Sequence, residues 1–286
     1  MAKLPEWFKN SNRKGLAAKE LSAKLNMKIP NCVCQEAKCP NRGECFSKGV
    51  ITFLILGKVC TRHCGFCSVT KGDLDLPDRN EAAIILDTIA KLDLKYVVIT
   101  SPTRDDLLDG GASHYAYVIK SIKAQYPKLM IEVLVPDFQG DFAALKTVMD
   151  ADPDVLNHNI ETVPVLYGVV RKGAGYQRSL SVLERAKKMV PNKPTKTGLM
   201  VGLGETEEQL IEVFKDIVKH GVDILTIGQY LKPGKTNLDV VKYWHPDEFE
   251  VLRVKALELG VPYVFAGPMV RSSFLAETVF EDYLKR

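Results

Sequence analysis

The stretch that decides the fold is residues 50–68, VITFLILGKVCTRHCGFCS. It opens with a continuous apolar run, residues 50–56, which is rich in β-branched residues and is closed by Gly57. Strands buried on both faces of a parallel sheet have this continuous pattern, whereas half-exposed strands alternate. Cys60, Cys64 and Cys67 follow directly. The stretch therefore predicts a buried strand and, after it, a loop that carries three thiols.

The spacing of these cysteines, C-x3-C-x2-C, indicates a metal centre. Iron–sulfur clusters are normally held by cysteine thiolates, so three cysteines without a nearby fourth suggest a cubane cluster with one open iron. The competing interpretation is a structural zinc site that adds His63 to the three thiols. Zinc ligands usually come as two well-separated pairs, which disfavours it. Seven cysteines, an odd number, and no secretory signal disfavour a disulfide framework.

This motif after the first strand of an α/β domain resembles the signature of the radical S-adenosylmethionine (SAM) enzymes. Phe66 stands where that family usually has an aromatic residue before the third cysteine. The resemblance implies a [4Fe-4S] cluster on Cys60, Cys64 and Cys67 whose open iron binds the amino and carboxylate groups of SAM. An electron from the cluster would then cleave SAM to methionine and a 5′-deoxyadenosyl radical.

Composition is ordinary for a globular protein, with 46% hydrophobic and 26% charged residues among 286. No apolar run approaches the ~20 residues of a membrane helix, and the first residues lack the apolar core of a signal peptide. We therefore expect a cytoplasmic protein with no membrane partner.

The net charge of +4 is concentrated in residues 1–28, where seven basic and two acidic residues give +5. The rest is about neutral, which argues against nucleic-acid binding. The basic segment is either a solvated helix or an arm for an acidic partner protein.

From residue 50 onward, strand-like runs alternate with helix-like runs. The predicted strands are residues 50–57, 95–101, 129–135, 154–160, 196–202 and 223–229. The predicted helices lie near residues 79–92, 113–125, 140–150, 177–189, 206–219 and 247–259, with an earlier one near 16–27. Six alternations predict an α/β fold, a partial (β/α)6 barrel of parallel strands. A seventh apolar run, residues 261–267, leads into the C-terminal tail.

Cys34, Cys39 and Cys45 form a second triplet, C-x4-C-x5-C, and Cys32 falls outside it. The two triplets together are similar to the lipoyl synthase family. So are PNRGEC, ILGKVCTRHCGFC, TSPTRDDLLDGGA, VPDF, LNHNIETV, GLMVGLGET, LTIGQYLKP and the terminal GPMVRSSF. The likeness implies three parts: an N-terminal extension, residues 1–49, with an auxiliary cluster loop; a radical SAM partial barrel, residues 50–260; and a C-terminal extension, residues 261–286, with the RSS motif.

The resemblance implies insertion of two sulfur atoms, at C6 and C8, into an octanoyl group that is amide-linked to a lysine of a carrier protein. It implies two [4Fe-4S] clusters, the one on Cys34, Cys39 and Cys45 being the sulfur source. In the family a serine of the RSS motif, here Ser272, holds the fourth iron of that cluster. The family motif usually ends in tyrosine, whereas this sequence has Phe274, so that hydroxyl is not essential. We expect Cys32 to be a partly buried loop residue rather than a ligand.

Polar residues after the predicted strands are candidates for SAM contacts, because β/α barrels build their sites at the carboxyl ends of strands. Asn157, Asn159 and Glu161 could bond the ribose or methionine part of SAM, and Arg171 could meet a carboxylate. His158 alternates with the asparagines, and we interpret it as structural.

The implied partners are octanoylated carriers, namely the E2 lipoyl domains of dehydrogenases and the glycine cleavage H protein. A reductant such as ferredoxin or flavodoxin and an iron–sulfur carrier complete the set, and we expect a monomer. Alternatives are another sulfur-inserting radical SAM enzyme, such as biotin synthase, or a non-catalytic iron–sulfur carrier. Biotin synthase lacks the N-terminal triplet paired with a terminal RSS.

Overall fold

The computed structural model describes residues 4–8, 31–41, 44–45 and 50–286. Two compact units contain them. The amino unit takes the described residues within 10–61 and 68–154, and the carboxyl unit takes those within 1–9, 62–67 and 155–286. The helix predicted near residues 16–27 lies outside the described residues, as does most of the basic segment. None of the helices in the described parts of the chain has the length and apolarity that crossing a membrane requires.

The amino unit contains a parallel β-sheet with helices. Its elements are α1 (Val33–Glu36), β1 (Thr52–Leu54), α2 (Asn80–Leu92), β2 (Tyr96–Thr100), α3 (Ala112–Gln125), β3 (Met130–Leu134) and α4 (Phe142–Met149). The sheet order within this unit follows the chain, with Phe53 paired to Ile99 and Ile99 to Val133. All three side chains are fully buried. Their burial on this sheet explains the continuous apolar runs in the sequence.

Strand β1 is shorter than the predicted residues 50–57. Leu56 and Gly57 have φ angles of 63° and 81°, so the chain turns in the left-handed region directly after β1. A glycine adopts that conformation without steric cost, which makes Gly57 suitable for the turn. The apolar run thus continues past the strand into the turn.

The carboxyl unit repeats the alternation of strand and helix. After the short 3-10 turn Glu6–Phe8, its elements are β4 (Val155–Asn157), α5 (Tyr167–Val170), α6 (Tyr176–Met189), β5 (Thr195–Val201), α7 (Glu207–Lys219), β6 (Ile224–Gln229), α8 (Pro246–Glu258), β7 (Tyr263–Gly267) and α9 (Ala276–Leu284). Strands β4 to β7 pair in parallel and in chain order.

Packing in the carboxyl unit covers both faces of β6. Leu225 and Ile227 join a buried cluster with Phe214 of α7 and Leu252 of α8. On the other face, Ile224 packs with residues of β7 and α9. Since side chains alternate along a strand, one apolar run supplies both faces.

The predicted α/β fold of parallel strands and helices is confirmed. The seventh apolar run is β7, and α7 begins with a capping box whose N-cap is Thr206. Helix α9 was not predicted, and β4 ends earlier than the predicted residue 160. The division at residues 49/50 and 260/261 stays a prediction.

Candidate functional site

In the amino unit, backbone hydrogen bonds fix the start of the cysteine loop. The amide of Cys60 donates to the carbonyl of Thr70 (3.0 Å), next to a parallel bridge between Val59 and Thr70. The amide of Thr61 donates to the carbonyl of Thr103 (3.0 Å), and its hydroxyl donates to the same carbonyl (2.9 Å). Both residues at this end of the loop therefore have a defined backbone position.

In the carboxyl unit, the rest of the loop is held around Gly65. The Gly65 amide donates to the carbonyl of Val170 (2.9 Å), and the Leu238 amide donates to the carbonyl of Gly65 (3.0 Å). A Cβ at Gly65 would lie 2.8 Å from the Leu238 side chain, so a larger residue would require that side chain to shift. Phe66 packs against the cluster of Val170, Leu203 and Tyr230, which fixes the residue before the third cysteine.

The turn after β1 is held by a carboxylate that no sequence pattern predicts. Glu81 of α2 accepts hydrogen bonds from the amides of Leu56 (2.8 Å) and Gly57 (3.2 Å). Its Oε2 also lies 2.8 Å from Nε2 of His114. Consecutive backbone N–H groups in left-handed turns form a concavity that binds anions, and the carboxylate fills it. No local sequence signal marks Glu81 for this role.

The second triplet lies in the amino unit near β1. Cys34 and Cys45 are buried, while Cys39 is partly exposed. The amide of Cys39 donates to the carbonyl of Cys34 (3.1 Å), and Cys32 forms an antiparallel bridge with Phe53. A hydrogen bond between the Cys32 and Cys34 thiols lowers the pKa of Cys32 and, together with burial, raises that of Cys34. The thiols of these two residues are therefore adjacent.

The donor sets suit iron–sulfur clusters by their chemistry. All seven cysteines have free thiols, and Cys60, Cys64 and Cys67 are partly exposed. Thiolates are the ligands that such clusters take, so each triplet provides three. Over the described ranges, no three His, Cys, Asp or Glu side chains are already gathered as a metal-ion site.

The end of β4 brings together three of the predicted SAM contacts. Asn157 is fully buried at the last position of the strand. Asn159 Nδ2 donates to Glu161 Oε1 (3.1 Å), and its Oδ1 is buried without a hydrogen-bond partner among the residues that the structure describes. A buried acceptor of this kind costs free energy until a donor reaches it. A hydroxyl or ammonium group is a donor of the kind that would pair with it.

Glu161 carries a strained backbone and a perturbed carboxyl. Its φ of 70° is unusual for a residue other than glycine, and such conformations cluster at functional sites. Burial raises the pKa of the Glu161 carboxyl, while the positive charges of Arg171 and Arg271 and a hydrogen bond from Asn159 oppose that shift.

Arg171 is anchored on the same side of the unit. Its guanidinium donates to the hydroxyls of Ser179 (2.7 Å) and Tyr167 (3.1 Å) and lies 3.4 Å from Nε2 of His158. Burial lowers the pKa of Arg171, but electrostatic interactions with Tyr167, Glu161 and Cys64 and the hydrogen bond to Tyr167 outweigh that effect, so the pKa is raised. His158 is fully buried, and its structural role stays a prediction.

The C-terminal motif meets the end of β4. Asn159 Nδ2 donates to the hydroxyl of Ser272 (3.2 Å), although the two residues are 113 positions apart in the chain. Phe274 stacks on Phe265 of β7, with ring centroids 6.5 Å apart. The ring at position 274 therefore has a packing partner that needs no hydroxyl.

Two further polar residues near strand ends are structural. Gln229 Nε2 donates to the carbonyls of Val201, Tyr230 and Lys242, and its Oε1 accepts from the amide of Trp244. Glu205 Oε1 accepts from the indole of Trp244 (3.1 Å). These bonds close the turns after β5 and β6.

The amino unit also has a cavity of ≈ 290 Å³ at the ends of β2 and β3. Asp105, Asp106, Phe138 and Asp141 are among its lining residues. A hydrogen bond from Arg104 lowers the pKa of the Asp106 carboxyl. The cavity therefore combines carboxylates with an aromatic wall.

Comparison with known proteins identifies the class of this site. A family model of the radical SAM superfamily matches residues 54–217, so the chain is a radical SAM protein. Lipoyl synthase of Caldicellulosiruptor saccharolyticus is 51% identical over 275 residues, covering 96% of each chain. Lipoyl synthase of Proteus mirabilis is 49% identical over 280 residues, covering 96% of this chain and 86% of the relative. The chain belongs to the lipoyl synthase family.

Solved structures support the fold. Methylornithine synthase has a TM-score of 0.56 at 15% identity, covering 86% of this chain and 81% of the other. Streptococcus suis SuiB bound to S-adenosylmethionine has a TM-score of 0.56 at 13% identity, covering 88% and 60%. At such identities these likenesses bear on the fold alone, and they agree with the predicted fold class.

Proposed function

We propose that this chain inserts two sulfur atoms, at C6 and C8, into an octanoyl group amide-linked to a lysine of a lipoyl-carrier protein. The observation that carries the proposal is the 51% identity to a lipoyl synthase over 96% of both chains. The bonds to be broken are unactivated C–H bonds, which acid–base catalysis cannot cleave. A radical mechanism answers this need, and the superfamily match supports one.

The proposed ligands of the radical-generating cluster are Cys60, Cys64 and Cys67. The proposed ligands of an auxiliary cluster are Cys34, Cys39, Cys45 and Ser272. When bound, the first group supplies the electron that cleaves SAM, and the second supplies the sulfur atoms. The protein's own part is positioning. Around Gly65 the main chain is held by hydrogen bonds from both sides, which supports a fixed direction for the cysteines next to it.

The proposed SAM contacts are Asn157, Asn159, Glu161 and Arg171. Asn159 offers a buried acceptor, and Glu161 offers a carboxyl group whose pKa the charges of Arg171 and Arg271 lower against the effect of burial. An ammonium or ribose hydroxyl pairs with either, while the Arg171 guanidinium suits a carboxylate. These groups would orient the small molecule without taking part in bond cleavage.

The proposed partners follow from the same reaction. The substrate carriers are octanoylated E2 lipoyl domains and the glycine cleavage H protein, and ferredoxin or flavodoxin would be the reductant. An iron–sulfur carrier would rebuild the auxiliary cluster after its sulfur is used. We place this reaction in the cytoplasm and propose a monomeric enzyme.

The test is anaerobic incubation of the reconstituted protein with SAM, dithionite and an octanoyl-lysine peptide, followed by mass spectrometry of the peptide. We expect a product that has gained two sulfur atoms, together with 5′-deoxyadenosine. A butyryl-lysine peptide is the matched control, because its acyl chain lacks C6 and C8.

Two results would contradict the proposal. A protein that binds iron but forms neither product nor 5′-deoxyadenosine would be a non-catalytic iron–sulfur carrier. A protein that thiolates a free small molecule and not the peptide would be another sulfur-inserting enzyme of the biotin synthase type.

A further inference from the structure

One carboxamide, that of Asn159, joins the end of β4 to the C-terminal motif. Its Nδ2 donates to Glu161 Oε1 at 3.1 Å and to Ser272 Oγ at 3.2 Å. A carboxamide nitrogen has two hydrogens, so these bonds use its whole donor capacity. The opposite atom, Oδ1, remains as the acceptor. The orientation of the amide is therefore set by Glu161 and Ser272 together.

The surroundings leave Asn159 little freedom to move. A Cβ at Gly198 of β5 would lie 2.9 Å from Asn159 Oδ1 and 3.0 Å from Thr226 Oγ1. The glycine thus provides the space that the amide occupies. Glu161 is fixed as well, because its amide donates to the Gly198 carbonyl (2.9 Å) and its carbonyl accepts from Met200 (2.8 Å).

The direction of the Ser272 oxygen depends on such a partner. The serine side chain is short and rotates about a single bond, so a hydrogen bond selects one direction for its oxygen. As the acceptor, the oxygen keeps a lone pair for another bond. If the hydroxyl is deprotonated on a metal, the same N–H becomes a stronger, charge-assisted donor.

We propose that Asn159 is a positioning residue that fixes the direction of the Ser272 oxygen, the proposed ligand of the auxiliary iron–sulfur cluster; this inference rests on the proposed function. Residues that hydrogen-bond to a metal ligand orient it and tune its basicity. Asn159 would do so from the end of the strand that also carries the proposed SAM contacts. Replacing it should therefore loosen Ser272 even when Ser272 is unchanged.

The first test measures how firmly the backbone around Ser272 is held, and it does not depend on turnover. Backbone hydrogen exchange of residues 268–275 is followed in the reconstituted protein and in Asn159→Ala and Asn159→Asp. Both variants lose the donor, and we expect exchange about tenfold faster, as for the loss of one buried hydrogen bond. Thr226→Val is the control, because it removes a hydroxyl that lies near Gly198, as the Asn159 amide does, and leaves that amide unchanged. Unchanged exchange in both Asn159 variants would overturn the inference.

The second test examines the iron. All variants carry alanine at Cys60, Cys64 and Cys67, so Mössbauer spectra report the auxiliary cluster alone, and imidazole probes for an open iron. We expect Ser272→Ala and Asn159→Ala to bind imidazole about tenfold more tightly than the parent, with no further gain in the double variant.

The outcomes separate the inference from the proposed function. Imidazole binding in Ser272→Ala but not in Asn159→Ala would overturn the inference and leave the serine ligand in place. If Ser272→Ala binds imidazole as weakly as the parent, Ser272 is not the ligand, and the inference is overturned. Ser273→Ala would then be examined. Absence of thiolated peptide from the parent enzyme is a separate result that bears on the proposed function.

Discussion

The side-chain amide of Asn237 donates a 3.0 Å hydrogen bond to the main-chain carbonyl of Cys67, across 170 positions of the chain. The same nitrogen reaches the carbonyl of Gly65 at 3.3 Å. The loop after β6 therefore supports the backbone of the cysteine loop. Residues that fix the backbone around a ligand influence how firmly a metal group is held.

Asn237→Ala should weaken retention of the cluster on Cys60, Cys64 and Cys67. The variant leaves two carbonyls without this donor, a loss of about 1–2 kcal/mol that we expect to speed iron release about tenfold. The measurement is iron loss to an added chelator under anaerobic conditions. Thr236→Ala, an exposed neighbour, is the control. Equal release rates from both variants would contradict the supporting role of Asn237.

Glu81→Ala should destabilise the fold. The change removes the acceptor for the amides of Leu56 and Gly57 and the partner of His114. Unpaired buried donors cost about 1–3 kcal/mol each, and we expect a total near 3 kcal/mol after relaxation. Urea unfolding gives the value. Asp87→Ala on the same helix removes only an exposed ion pair with Lys91 and should cost less than about 0.5 kcal/mol. A similar loss of unfolding free energy in both variants would show that the bonds of Glu81 to the turn after β1 do not stabilise the fold.

The two cysteine triplets should have separable roles. Alanine at Cys60, Cys64 and Cys67 should abolish 5′-deoxyadenosine formation while leaving about half the iron, one cubane of two. Alanine in the other triplet should leave SAM cleavage intact and give no thiolated peptide. Iron analysis and product chromatography measure both. Dithiolated peptide from the second variant would show that sulfur comes from elsewhere.

The sequence predicts most of the framework, because the patterns involved are local. Six predicted helices correspond to α2, α3, α4, α6, α7 and α8. Thr206 could be predicted as an N-cap because a capping box occupies four consecutive residues. The seventh strand was visible as an apolar run. Helix α9 was not, since it packs on β6 and β7 through a contact formed only in the fold.

Contacts between distant residues lay beyond sequence reasoning. Glu81, Asn237 and Trp244 make bonds across 15 to 172 positions, and no motif marks them. Gln229 is also a polar residue at a strand end, yet its hydrogen bonds go to main-chain groups of Val201, Tyr230, Lys242 and Trp244. The sequence shows which polar residues follow each strand. It does not show the direction of each side chain, which decides its hydrogen-bond partners. The cluster and SAM assignments accordingly stay predictions.

Gly198→Ala should weaken SAM binding although it replaces none of the residues proposed to contact SAM. The added methyl group would come within 2.9 Å of Asn159 Oδ1, so the amide must shift. We expect about tenfold weaker binding, measured by equilibrium dialysis with the reconstituted protein. Gly168→Ala is the matched control, because a Cβ there has no heavy atom within 4 Å. If the two variants bind SAM with equal affinity, Asn159 does not contribute to SAM binding.

Cys32→Ser tests the register of the first triplet. The thiol of Cys32 is 1% exposed and hydrogen-bonds to Cys34, so by position either residue is a credible ligand. The C-x4-C-x5-C spacing selects Cys34, and the bridge of Cys32 to Phe53 gives Cys32 a structural role. We therefore expect Cys32→Ser to keep its iron and its turnover, while Cys34→Ser loses about half the iron, one cluster of two. Iron analysis with sulfide determination distinguishes the two. Loss of that half in Cys32→Ser, with Cys34→Ser retaining it, would move the ligand two residues toward the amino terminus.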